Sequence, residues 1–442
     1  MRFTKAKGLT ASEQMLADLC EQSFLSLWSY PNLYKKAGKE LTDLLVVFGD
    51  DVILFSDKSC AFPASGDATV DWKRWFRKSL GKSAHQICLA EDWIRRVPKE
   101  VYLDARATTV LPLPLPPPDR MRIYRVCIAL NAAERCEAAT GYPTLELSPD
   151  TLDDGKPFAV GRISTARGWV HVFDEATLPV VLRELSTVAD FLDYLRKKEA
   201  LYDGGRYKRS FSELDLMAYF LWHDRSFPDH DGDFGTDPGL WQIVEADAQF
   251  LAGREQNRIS AFWDRLIEYL TGLYMEEELE TGNEHEVTDH ERMVRLMAGE
   301  TRFTRRLLSK WILDRADRAR DGYVGSMFPS PRADVVYVLF IGPGDGGGDH
   351  ALYRDRRKKE LVARCLAAKA ACPDRNLVLG LALDARGVRG SSEDFILMDT
   401  ADWTEEQMQQ GREIREMGQF FQAATTRVDE QEYPAAGAEG MG

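Results

Sequence analysis

The sequence predicts a mixed α/β (α+β) protein of several domains: an N-terminal αββαβ block, a mainly helical middle and a small C-terminal α/β unit. Three observations carry this. The chain has 442 residues, more than one ordinary hydrophobic core organises. Apolar residues recur at helical spacing in some segments and in short strand-like runs in others. A strand–loop–helix–strand texture begins near residue 333 and is not repeated earlier. The expected boundaries are 1–130, 131–330 and 331–430, with a disordered tail over 431–442.

The elements follow in order. Leu16, Leu19, Cys20, Phe24, Leu27 and Trp28 lie at helical spacing after a Thr10–Glu13 capping box. "GKELTDLLVVFGDDVILFSDKSC" (38–60) reads as two apolar strands joined by a tight turn. A long helix follows over about 70–97, interrupted at Gly81. "LPLPLPPP" (111–118) is extended, and 120–130 is a strand. Short strands, including 168–173, precede a helix over 187–202, and 211–320 is mainly helical, most clearly at 258–274. The last unit runs strand 333–342, glycine loop, helix 354–372, strands 376–385 and 394–400, then a helix from Thr404.

Composition narrows the function classes. Hydrophobic residues make up 44% and charged residues 29%, the balance of a soluble globular chain. No apolar run reaches membrane-spanning length, and the N-terminus lacks a signal-peptide stretch. Seven cysteines without a CxxC pair point to a reducing, cytoplasmic setting. Net charge is −14, yet residues 1–130 carry 19 Lys+Arg against 15 Asp+Glu, and the remainder 38 against 56. An acidic whole argues against coating nucleic acid indiscriminately, while the basic first third leaves room for local phosphate binding. The acidic remainder leaves room for a protein partner or a second copy of the chain.

The hairpin holds the chemistry. Side chains alternate along a strand, so Ser56 and Lys58 face one way and Asp57 the other. A Gly49-Asp50 loop sets Asp43 opposite Ser56. An Asp50-Asp51 loop sets it opposite Lys58. Either even-length turn puts Asp43 and Lys58 on one face, whereas a three-residue loop pairs Asp43 with Asp57; two-residue loops are the commonest. A carboxylate there can hold a hard divalent cation such as Mg²⁺ or Mn²⁺, and the lysine can offset charge on a phosphate. Glu13 and Glu40 are within reach to complete such a site. Both Asp43 and Lys58 sit at the open end of the hairpin, so neither is expected to support the core. Arg74, Lys78, Lys82 and His85 recur on one helical stripe that can grip phosphates.

These residues resemble the PD-(D/E)xK, or restriction-endonuclease-like, nuclease superfamily over about residues 10–130. The resemblance implies a metal-dependent nuclease acting on DNA, in which Asp43 is the first acid, Lys58 the catalytic lysine and Glu13 the helix acid. Members often serve in restriction or antiviral defence. The second acid of the motif falls on Ser56, since the text is "SDK". Three resolutions stand open: Asp57 swings in through a β-bulge, Glu40 supplies the carboxylate, or the site is degenerate and the protein is a scaffold or adaptor. The candidate set is Asp43, Lys58 and Glu40 as catalytic, Asp43, Glu13 and Asp57 as metal ligands, and Arg74, Lys78 and Lys82 as nucleic-acid contacts.

Other motifs fall short. Asp229, Asp231 and Asp233 alternate, but Phe234 stands where a calcium loop needs glycine. "GPGDGG" (342–347) matches a dinucleotide fingerprint, but Asp384 lies too far beyond it for a ribose contact. His285 and His290, and the cysteine pairs 127/136 and 365/372, lack ligand spacing.

Overall fold

A computed structural model describes residues 3–163, 167–229, 232–279, 284–331, 334–388, 392–422 and 430–434. The chain forms two compact units, 1–251 with 268–291, and 252–267 with 292–442. The tail expected over 431–442 is described only to residue 434, and the Arg306 guanidinium donates to the Gln431 and Glu432 carbonyls.

The first unit opens with helix α1 (Ala11–Phe24), capped by Thr10 with Glu13 reaching back. Leu25, at φ 67°, ends α1 short of the expected residue 28. Strands β1 (Ser29–Lys36), β2 (Lys39–Phe48) and β3 (Asp51–Asp57) then run as an antiparallel meander. Helices α2 (Ala68–Lys78) and α3 (Leu80–Arg96) lead to β4 (Arg122–Ala129), which lies parallel to β3. The core is therefore αβββααβ, not αββαβ. The unforeseen strand, "SYPNLYKK", holds Pro31, which removes a ladder donor and suits the sheet's edge.

The hairpin takes the Gly49-Asp50 turn. Phe48 pairs with Asp51 and Leu44 with Phe55. Gly49 sits at φ 61°, the left-handed value a type II′ turn needs at its first central residue. Leu44 to Val47 and Val52 to Phe55 are buried on both faces of the sheet. That explains why these runs are continuously apolar and do not alternate.

The long helix breaks at Ser79 (φ −97°, ψ −89°), not at Gly81, so Arg74 and Lys78 stand on α2 and Lys82 and His85 on α3. Trp72 and Trp75 of α2 are fully buried and pack against Phe158 and Phe62. Glu91 of α3 and Arg125 of β4 form a buried bidentate pair at 2.7 and 2.8 Å. Glu91→Ala is expected to cost about 3–5 kcal/mol, because it strands a buried guanidinium; the midpoint of urea unfolding measures it.

The sheet crosses the boundary expected at residue 130. After α4 (Ala133–Thr140), β5 (Glu146–Leu152) and β6 (Ala159–Arg162), strand β7 (Val170–Asp174) joins it beside β4, in the order β1-β2-β3-β4-β7. Helices α5 (Leu178–Glu184) and α6 (Val188–Asp203) follow, then β8 (Tyr207–Ser210), α7 (Glu213–Trp222) and β9 (Phe234–Thr236). Strands β6-β5-β8-β9 make a second sheet. Asp231 lies outside the described residues. Helices α8 (Leu240–Ala246), α9 (Ala248–Asn257), α10 (Ala261–Glu276), α11 (Val287–Ala298) and α12 (Arg302–Arg318) supply the expected helical stretch.

The third sheet, in the second unit, has the order β10-β11-β12-β13, from β10 (Val324–Pro329), β11 (Val335–Gly342), β12 (Leu377–Asp384) and β13 (Asp394–Asp399). β11 and β12 are parallel, joined through α13 (His350–Ala371); α14 (Glu405–Met417) closes the chain of elements. Asp384, at the end of β12, accepts from Tyr353 Oη at 2.6 Å and Arg357 at 2.5 Å and from the Ser392 amide. Its carboxylate is thus committed to a buried ionic cluster beside the glycine loop.

Candidate active site

β2 and β3 bring Asp43 and Lys58 together at the open end of the hairpin. The Gly49-Asp50 register sets Asp43 opposite Ser56, and Ser56 Oγ donates to Asp43 Oδ2 at 3.1 Å. The Asp57 amide donates to the same oxygen at 2.6 Å, and Gln86 Nε2 of α3 donates to Oδ1 at 3.3 Å. Lys58 Nζ lies 3.5 Å from Oδ1. Asp43 is 1% exposed. It therefore anchors the hairpin end, contrary to the expectation that it supports no core structure. Lys58, about one-third exposed, matches that expectation.

Glu40 reaches Asp43 through a bulge. Leu33 pairs with Thr42 but Tyr34 pairs with Glu40, so Leu41 is an extra residue in β2. Without it, Glu40 would share the face of Thr42 and Leu44, away from Asp43. The bulge turns it over, a device common beside functional sites. The Glu40 carboxyl lies close enough to Asp43 and Lys58 to feel both charges. Burial, then the Asp43 charge, push its pKa up, with Lys58 opposing.

Asp57 points toward α1 and Ser12, and burial is the main cause that raises its pKa, with Asp43 and Glu13 adding to it. Glu40 Oε1 and Asp57 Oδ1 are buried and receive no hydrogen bond. Glu13 Oε2 accepts the Leu9 and Thr10 amides as the cap of α1, so part of this expected ligand is engaged structurally. Among the described residues, no three Asp, Glu, His or Cys side chains form a ready-made metal-binding group.

A cleft of about 470 Å³ opens beside the site, lined in part by Lys35, Glu40, Lys58, Lys82, His85 and Gln86. Of the expected basic contacts, Lys82 lines it and Arg74 and Lys78 do not; Arg77 does. The break at Ser79 explains the exchange, because it resets the helical phase between the two halves of the stripe. Gln86 and Lys35 carried no recognisable signal in the sequence, since each depends on packing between distant elements.

Comparison with family models, curated proteins and solved structures returned no match. Among the described residues, no helix is long and apolar enough to cross a membrane.

Proposed function

We propose that the first unit is a metal-dependent nuclease that hydrolyses phosphodiester bonds in nucleic acid. The observation that carries this reading is the convergence of Glu40, Asp43 and Lys58 on one face of the sheet, with Glu40 re-aimed by the bulge at Leu41. Glu40 then fills the role of the acid missing at Ser56.

The donor set suits a hard divalent cation. Mg²⁺ is commonly held by only one or two carboxylates and keeps several waters. The buried Glu40 Oε1 without a donor, on a carboxyl whose pKa is raised, is what such an ion would relieve. Glu40 and Asp43 would hold it, whereas the Asp57 carboxyl, turned toward α1 and Ser12, lies on the other face of β3. When bound, the ion supplies Lewis-acid polarisation of the scissile phosphate. Asp43 is oriented by the Asp57 amide, Ser56 and Gln86. The Lys58 ammonium offsets negative charge that grows on the phosphate oxygens. Lys35 and Lys82 hold the substrate backbone in the cleft.

The test is incubation of purified full-length protein with plasmid, linear and single-stranded substrates in Mg²⁺, Mn²⁺ or EDTA. Cleavage that requires the metal and is lost in Asp43→Asn supports the reading. Asn keeps the side chain's shape and so limits damage to the hairpin end. No cleavage of any substrate favours the second reading, a non-catalytic scaffold, which Ser56 at the acid position supports.

A pH dependence follows from the raised carboxyls. A carboxyl whose folded pKa lies above its unfolded value favours the fold below the ordinary carboxylate range. That contribution is lost as pH rises through the folded pKa. Metal-free protein should therefore lose part of its stability on going from acid toward neutral pH, on account of Glu40 and Asp57. Mg²⁺ should restore it at neutral pH. Melting curves of the wild type and Glu40→Gln check this: the variant should melt higher without metal and respond less to Mg²⁺.

A further inference from the structure

A second cleft, of about 680 Å³, continues from the first along α3 and shares Lys35 and Leu89 with it. Lys82, His85, Leu89, Trp93 and Arg96 recur at steps of three and four residues, so one stripe of α3 runs from the candidate site into this cleft. Trp93 lies two turns beyond Gln86, about 10 Å along the helix. Its Nε1 donates to the Glu100 carbonyl at 2.8 Å, which fixes the ring's orientation. The exposed Lys36 ammonium and Arg96 guanidinium sit over the ring, 5.2 and 5.8 Å from its centroid. Leu89 is 47% exposed between the two clefts. Among the described residues, no carboxylate pairs with Lys35, Lys82 or Arg96.

A groove with unpaired cations, an oriented indole and an exposed leucine fits a chain of phosphates that carries accessible apolar faces. A duplex offers the phosphates but hides the base faces in its stack. An unpaired strand offers both, and its bases stack on aromatic side chains whatever their sequence. Lys36 and Arg96 are exposed side chains that can leave the ring for the phosphates.

We propose that this groove is a single-strand subsite: Trp93 stacks an unpaired base while Lys35 and Arg96 hold the flanking phosphates, feeding the strand to the Glu40–Asp43–Lys58 site. The proposal rests on the nuclease reading for the direction of the strand, but its binding chemistry needs no metal. The test is anisotropy of labelled short oligonucleotides with full-length protein in EDTA, comparing single-stranded DNA, single-stranded RNA and duplex of the same sequence. The wild type should favour a single strand, and the DNA and RNA arms show which sugar it prefers. Trp93→Ala should weaken single-strand binding about 5- to 150-fold, the range of one lost base stack, and leave duplex binding unchanged. Trp93→Phe should keep most of the affinity. Lys35→Ala with Arg96→Ala should flatten the salt dependence of single-strand binding, a readout independent of any loss of fold in Trp93→Ala. A wild type that prefers duplex, a Trp93→Ala that weakens both forms alike or neither, or an unchanged salt slope would overturn the subsite. Single-strand binding as described in a protein that never cuts would remove the nuclease reading and leave the subsite. Metal-dependent cutting with unaltered Trp93→Ala binding would do the reverse.

Discussion

Lys58→Ala is expected to lower metal-dependent cleavage by about a hundred- to a thousand-fold, the usual cost of removing one preorganised charge donor from a transition state. The fold should survive. Lys58 follows the last residue of β3, its side chain is about one-third exposed, and its partner Asp43 keeps three hydrogen bonds without it. The loss should fall on kcat more than on KM, because Lys35 and Lys82 remain to bind the backbone. Single-turnover cleavage beside a thermal melt measures both. A Lys58→Ala variant that cuts at the wild-type rate would remove the lysine from the mechanism.

The second large effect concerns the relocated acid. Glu40→Gln should reduce cleavage to near background, since Gln is isosteric but offers no charge to a divalent cation. Adding Ser56→Asp to that variant should restore part of the activity. Ser56 Oγ already lies 3.1 Å from Asp43 Oδ2, so a carboxylate there would rebuild an acid pair from the neighbouring strand. Ser56→Asp alone should impair the protein, because three acids would then crowd around Asp43 and raise one another's pKa. If Glu40→Gln cuts normally, the second acid is another residue, and Asp57 is the next to test.

Much of the site was legible because it is local. The two-residue turn, the alternation of side chains and the shared face of Asp43 and Lys58 follow from the text between Asp43 and Lys58, while the choice between Ser56 and Lys58 as the residue opposite Asp43 needed the register. Glu40 was named but its aim was not derivable. That aim depends on the extra residue at Leu41, which exists only because β2 pairs with β1. β1 itself was overlooked, since Pro31 and Asn32 read as loop residues in isolation. Asn32 holds φ at 49° within the strand, and only its edge position tolerates Pro31. The membership of Val170–Asp174 in the first sheet was hidden for a different reason: a parallel pairing across some forty residues leaves no periodic mark. The basic stripe failed at Ser79, where the backbone turns without a glycine or proline to announce it.

The role given to Glu13 divides in the same way. Its position three residues after Thr10 marks it as a capping-box acid, and it performs that task. It also lies close enough to raise the pKa of both Glu40 and Asp57. Glu13→Gln keeps a side-chain acceptor for the cap and removes the charge. It is expected to ease the acid shift of Glu40 while costing little stability, which a pH series of melting curves would show.

In the proposed nuclease, Glu40 and Asp43 together would hold the cation. Crystals soaked in Mn²⁺, at a concentration that supports cleavage, test it through the anomalous difference map. The expected result is a single strong manganese peak beside the Glu40 and Asp43 carboxylates, weakened or lost in Glu40→Gln. Manganese bound elsewhere in the chain, or no peak between these two carboxylates, would contradict it.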